Sequence, residues 1–154
     1  MAMTYGTVYV AQIAMGADYQ QTLRAITEAE RYPGPSLIIA YAPCINHGIK
    51  KGMGKAVEEE KMAVLSGYWH LFRYQPSVVQ DDGTVISEHF ELDSKPPVKE
   101  LDEFMEGEIR YTALALKNPE NAKLLQNMAK CHAERKLGYL QKLKSIYNKE
   151  YSKV

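Results

Sequence analysis

Apolar and polar positions in the early part of the chain fall into two alternating periods. Thr7 to Met15, TVYVAQIAM, is interrupted only by Gln12 and ends at Gly16-Ala17, which predicts a strand. Asp18 stands three residues before Gln21 as a capping-box variant. Leu23, Ile26 and Ala29 or Glu30 follow at helical spacing, so the strand leads into a helix. Arg31-Tyr32-Pro33-Gly34-Pro35 ends that helix, and Ser36 to Ala42, SLIIAYA, follows as a run that is purely apolar from Leu37 on. A strand apolar on both faces is expected to lie buried between helices in a parallel sheet. The β, α, β order is the unit of a three-layer α/β domain with a right-handed crossover.

Beyond the second strand, Pro43 to Gly54 (PCINHGIKKGMG) occupies the carboxyl edge where open parallel sheets bind ligands, and Pro43, Gly48, Gly52 and Gly54 suit a loop there. Ala56 to Ser66 reads as a helix stopped by Gly67. Tyr68 to Tyr74 (YWHLFRY) reads as a strand, Asp81-Asp82-Gly83 as a turn and His89 to Leu92 as a short strand. Pro96-Pro97 separates this sheet-building part from a helical one. From Val98 come LDEFM and EIRYTALAL, then a final helix opened by Pro119. Its face of Leu125, Ala129, Ala133, Leu137, Leu140, Leu143, Tyr147 and Tyr151 recurs at steps of three or four. A helix so long is expected to pack along a partner surface or another subunit.

Composition adds bounds rather than function. The 154 residues are 45% hydrophobic and 25% charged, which describes one soluble globular domain and excludes collagen-like, low-complexity and wholly disordered classes. Nineteen basic and nineteen acidic residues cancel, so no global field draws the chain to nucleic acid or an anionic membrane. The charge is segregated, however. Residues 1–118 hold 11 basic and 16 acidic side chains, and residues 119–154 hold 8 and 3, so an acidic stretch over 81–108 is expected to meet the basic C-terminal segment within or between chains. No basic residue precedes Arg24 and no apolar run spans a bilayer. With only Cys44 and Cys131 available, a soluble, cytoplasmic, reduced protein is expected.

The candidate chemistry centres on Cys44-Ile45-Asn46-His47-Gly48. From the residues alone, Cys44 is a packed side chain, one half of a Cys-His pair with His47, a zinc ligand, or one iron–sulfur ligand among thiolates supplied from elsewhere. A base three residues away seldom reaches the sulfur, and the segment lacks four zinc ligands. Cys131 reads as packing; His70 and His89 as core or surface residues; His132 as solvated or partner-facing; Glu58-Glu59-Glu60 as a solvated helix face. KGMGK lacks P-loop spacing.

The combination of PCINHG, GYWHLFRY, FELDSKPP and EIRYTALALKNPENA, with VYVAQIAMGAD before it, resembles the C-terminal end of the pyruvate:ferredoxin (flavodoxin) oxidoreductase family over essentially the whole chain. The opening MAMTYG also resembles interior sequence of that family, which implies that Met1 is not the enzyme's own start. The resemblance implies oxidative cleavage of pyruvate to acetyl-CoA with thiamine diphosphate, magnesium and 4Fe-4S clusters, electrons passing to ferredoxin or flavodoxin, in anaerobic metabolism. It implies that residues 1–97 are the latter half of the thiamine-binding α/β domain and 98–154 a helical C-terminal extension, together a three-layer parallel-sheet fragment. It further implies that Cys44 completes the cluster nearest the thiamine, with Asn46 and His47 beside it; Lys50, Lys51 and Lys55, around KGMGK, are read from their own charge as candidates for a CoA phosphate. The GDG and Asn of the thiamine signature and the CxxC of the other cluster ligands are absent. The chain alone is therefore expected to be inactive and to need the upstream part of the same enzyme, within a homodimer. Another 2-oxoacid:acceptor oxidoreductase, or a non-catalytic interaction module docking through the long helix, are the alternatives.

Overall fold

The computed structural model describes residues 1–46, 48–79 and 82–148. After a 3-10 turn at Ala2–Tyr5, strand β1 (Tyr9–Ile13) leads to helix α1 (Tyr19–Arg31) and strand β2 (Ser36–Ala40). Asp18 begins α1 as its pattern predicts, its Oδ1 accepting the Gln21 amide at 2.9 Å. Helix α2 (Ala56–Leu65), strand β3 (Phe72–Gln75), the short strands β4 (Val78–Val79) and β5 (Val85–Ile86), and strand β6 (His89–Leu92) follow. Helices α3 (Leu101–Gly107), α4 (Ile109–Lys117) and α5 (Pro119–Tyr147) complete the chain.

The main sheet has the order β2-β1-β3-β6. β1 pairs with β2 in parallel, while β3 runs antiparallel to both β1 and β6, so the sheet is mixed. Alternation along β1 sorts side chains to its two faces. Tyr9, Ala11 and Ile13 pack on α1 through Ala25, Ala29 and Tyr32; Val10 lies on the opposite face with Phe72, Tyr74, Phe90, Leu140 and Leu143. The layers are thus α1, sheet and α5, the last contributed by the C-terminal half of the long helix. A second apolar cluster joins α2, α3 and the middle of α5 through Ala63, Leu101, Phe104, Met105, Ala129 and Ala133.

The two edges of the sheet differ. At β6, the Asn148 side chain imitates a strand: its Oδ1 accepts the Phe90 amide and its Nδ2 donates to the Phe90 carbonyl, both at 2.9 Å. At β2, no second partner strand is present among the described residues. Leu37 and Ile39 remain 41% and 40% exposed, which corrects the expectation of a strand buried on both faces. An apolar run reports that a strand requires cover, not that the same segment supplies it. Two further expectations shift. Tyr68 to Leu71 is irregular, so β3 begins only at Phe72, and α3 and α4 break at Gly107-Glu108. Tyr151 and Asp81, assigned to the last helix and to a turn, lie outside the described residues; Asp82 accepts the Thr84 amide at 2.8 Å beside Gly83.

Part of the segregated charge pairs within the chain: Lys130 meets Asp102 at 2.5 Å and Lys144 meets Glu91 at 2.7 Å, tying α5 to α3 and β6. Among the described residues no helix is long and apolar enough to cross a membrane. We expect Leu140→Ala to cost about 2–5 kcal/mol in urea unfolding, and Leu37→Lys to stay within about 0.5 kcal/mol. Equal losses would show that β2 is covered within this chain.

Candidate cofactor-ligand loop

The Cys44 loop leaves the sheet where β1 and β2 end together. Ile13 O accepts two donors there, the Tyr41 amide at 3.0 Å and the Trp69 indole at 2.9 Å. The Tyr41 ring lies in an aromatic cluster, 5.5 Å from Trp69, 6.1 Å from Tyr68 and 6.5 Å from Phe104 between centroids. Beyond it the chain emerges into solvent: Cys44 and Asn46 are exposed, and Ile45 is 77% exposed. The loop turns back through a 2.9 Å bond from the Gly48 amide to the Cys44 carbonyl. Gly48 has φ +70°, and a Cβ there would meet Ile109 Cδ1 at 2.8 Å, so both conformation and space select glycine.

The returning strand is fixed to the α3–α4 junction. Ile49 forms an isolated antiparallel bridge with Glu108, Lys50 N donates to Gly107 O at 2.8 Å, and Ile109 N donates to Gly48 O at 3.4 Å. Below lies a polar network. Tyr41 Oη donates to Glu108 Oε1 at 3.2 Å, Arg110 Nε stands 3.5 Å from Glu108 Oε2, and Arg110 Nη2 donates to Tyr68 Oη at 3.3 Å. Burial, reinforced by the Glu108 charge, pushes the Tyr41 phenol above its usual range, so it remains a donor.

Of the sequence-predicted site residues, Cys44 and Asn46 share one exposed turn at the carboxyl end of β2, and His47 lies outside the described residues. Among the described residues, no three His, Cys, Asp or Glu side chains gather to hold a metal ion. The donor set therefore fits one terminal thiolate on a cluster otherwise held elsewhere, and does not fit a self-contained centre. Cys131, expected in packing, is exposed on α5. Lys55 of KGMGK pairs with Glu58 at 2.5 Å.

The acidic run of α2 departs from the expected solvated face. Successive helical residues point about 100° apart, so three in a row cannot share a face. Glu58 is exposed, Glu60 Oε2 accepts the Gly16 amide at 2.8 Å, and Glu59 is buried at 4% exposure with Oε1 unpartnered. Burial, then the Glu108 charge, raises the Glu59 carboxyl above its usual range, with Lys51 opposing. Gly107 is constrained by the same side chain, because a Cβ there would collide with Glu59 Oε1. His70 is a core residue, 1% exposed with both ring nitrogens unpartnered, and burial followed by the Lys136 charge lowers it to about 4. His89 is exposed, 3.4 Å from Glu91, and His132 is exposed on α5. Sequence reasoning missed Arg73. It pairs with Glu28 and, through Nε and Nη2 at 2.9 and 2.8 Å, with both oxygens of Asp93, locking α1 to β3 and the segment after β6. The one available signal was an arginine inside an otherwise apolar strand pattern.

No family model matches the chain. Its relatives among curated proteins define a class of large oxidoreductases acting on pyruvate, and the chain is homologous to one segment of them. The pyruvate-flavodoxin oxidoreductase of Enterobacter agglomerans is 50% identical over 145 residues, which are 94% of this chain and 12% of that protein. The pyruvate:ferredoxin oxidoreductase of Moorella thermoacetica is 49% identical over 143 residues, 93% of this chain and 12% of that protein. The pyruvate dehydrogenase [NADP(+)] of Cryptosporidium parvum is 42% identical over 151 residues, 95% and 8% respectively. The chain corresponds to a segment of the pyruvate-flavodoxin and pyruvate:ferredoxin oxidoreductases, and spans about a tenth of the length of these relatives.

The buried acid and histidine give opposite pH signatures. The folded state binds the Glu59 proton more tightly than the unfolded chain, so its contribution is full below the ordinary value of 4.5 and is lost as pH rises through the raised value. Glu59→Gln is expected to add about 1 kcal/mol at pH 7 and nothing at pH 3.5; a loss at both pH values would contradict the assignment. His70 contributes fully above 6.5 and loses its contribution as pH falls through about 4. Between 6.5 and about 4 the wild-type stability should therefore drop by up to about 1.4 kcal/mol per pH unit, and His70→Leu should flatten that limb. Superimposable pH profiles would show that His70 is not held neutral.

Proposed function

We propose that this chain works as a segment of a pyruvate:ferredoxin or pyruvate-flavodoxin oxidoreductase. In the whole enzyme, pyruvate and CoA give acetyl-CoA, carbon dioxide, two electrons and a proton. The observation that carries this reading is identity of 50% across 94% of the chain. Relatives named for flavodoxin, ferredoxin and NADP(+) match this segment alike. That supports a role in the half-reaction they share, on pyruvate, rather than in choice of acceptor. The exposed apolar β2 supports assembly with the remainder of the enzyme, which would supply the missing cover.

In this reading residues 1–97 are the latter half of the thiamine-binding domain, and 98–154 an extension that packs back onto its sheet. The enzyme is a cytoplasmic homodimer. Bound thiamine diphosphate with magnesium supplies the carbanion stabilisation for decarboxylation, and a 4Fe-4S cluster supplies one-electron transfer. The chain's own contribution is the Cys44 thiolate as one iron ligand. Asn46, and His47 next to it in sequence, are assigned to orient the turn and tune the potential by hydrogen bonding. Exposure of Cys44 on a loop at the carboxyl edge of a parallel strand pair supports this role.

Two measurements test it. The purified chain, given pyruvate, CoA, thiamine diphosphate and magnesium, is expected to reduce no viologen dye; turnover by the chain alone would contradict the reading. In the assembled enzyme, Cys44→Ala is expected to remove one cluster, about four irons per protomer. Unchanged iron and sulfide content would exclude Cys44 as a ligand.

A further inference from the structure

We propose that Glu108 is the positioning residue of the Cys44 loop, because its carboxylate ties the end where the loop leaves β2 and its two chain neighbours tie the end where the loop returns. Its carboxylate accepts the Tyr41 hydroxyl at 3.2 Å on the side where the chain leaves β2. On the side where the chain returns, Glu108 stands opposite Ile49 in an isolated antiparallel bridge whose hydrogen bonds are made by its two chain neighbours. Those bonds run from Lys50 N to Gly107 O at 2.8 Å and from Ile109 N to Gly48 O at 3.4 Å, while the Glu108 amide and carbonyl bond within the α3–α4 junction. Between the ties, Cys44, Ile45 and Asn46 are exposed and hold little apolar contact of their own. Their placement therefore depends on the base of the loop rather than on packing at its tip.

Glu108 is itself held firmly. Its side chain is 4% exposed, its second oxygen faces Arg110, and Arg110 donates to Tyr68, whose ring lies 4.6 Å from Phe104 and 6.1 Å from Tyr41. The circuit closes on the same aromatic cluster from which the loop departs. A buried carboxylate is a costly way to join two helices, since an apolar side chain of similar volume is commonly neutral or stabilising in such a place. What an apolar side chain cannot do there is accept the Tyr41 hydroxyl. The direct consequence is a fixed Cys44 position, and a ligand held in one orientation sets the properties of the metal it binds. This last step rests on Cys44 being a cluster ligand; the clamp does not.

Hydrogen exchange on the full chain reads the clamp directly, because the Gly48 amide bonds to Cys44 O and the Lys50 amide to Gly107 O. Glu108→Ala is expected to speed exchange at Gly48 by about fivefold to tenfold, the loss of one buried hydrogen bond, with a smaller change at Lys50, whose bond to Gly107 O does not involve that side chain, and none at the Ala11 amide in β1. Glu108→Gln, which retains an acceptor for Tyr41, should restore wild-type protection. Tyr41→Phe should open Gly48 more than Lys50, and serves if Glu108→Ala does not fold. In the assembled enzyme, Glu108→Ala should keep its iron but shift the midpoint potential and EPR spectrum of one cluster. Faster exchange with an unchanged cluster, together with iron retained in Cys44→Ala, would leave the clamp standing and remove the ligand reading. Unchanged exchange at Gly48 and Lys50 in both Glu108→Ala and Tyr41→Phe would overturn the clamp.

Discussion

Everything in this fold is referred to β1, a five-residue strand that is buried along its whole length. Cover on both faces, with α1 on one side and the end of α5 on the other, fixes its neighbours and orientation. Each large apolar side chain so enclosed contributes about 1.5–3 kcal/mol. β2 then runs parallel beside it in a register from Tyr9↔Ser36 to Ile13↔Ala40, so the two strands end level. The last carbonyl of β1 serves two donors, the backbone of Tyr41 and the indole of Trp69, and from that point the Cys44 loop and the aromatic cluster beneath it diverge. Sheet, loop and second core are one connected arrangement, and a displacement of β1 would move the thiol.

Much of this was legible in the chain and some was not. Asp18 with Gln21 marked the start of α1, Pro119 the start of α5, and His89 to Leu92 a strand, because capping, proline and alternation are local signals. The mixed sheet was not legible: no local pattern says that β3 turns antiparallel to β1. β2 carries an apolar pattern suited to full burial yet lies at an edge, since periodicity records the cover a strand requires without recording its source. The prominence of Cys44 was legible from a cysteine in a Gly- and Pro-containing loop after a strand. Its tether to Glu108 was not, because it joins residues 67 apart in sequence. Glu59 was misread as solvated because a run of three acids looks uniform in sequence, while a helix points them in three directions.

The buried polar groups divide by what they do. Arg73 with Asp93 and Glu28 is a fully paired lock between elements, the arrangement in which buried charge is tolerated best. His70 and Glu59 carry ring nitrogens or an oxygen without partners, and each meets its burial by favouring the neutral form. Glu108 belongs to neither group. Its carboxylate is partnered, and it sits at the α3–α4 junction that meets both ends of the Cys44 loop. Its location beneath Cys44, rather than its contribution to stability, distinguishes it.

The central claim is that the Cys44 sulfur binds iron whose remaining ligands lie outside this segment. Anomalous diffraction at the iron edge from crystals of the assembled oxidoreductase tests it most directly. The account predicts an iron peak within bonding distance of Cys44 Sγ, in a cluster whose other thiolates come from the rest of the enzyme. A cluster with all its ligands supplied elsewhere, and Cys44 Sγ standing free in solvent, would contradict it.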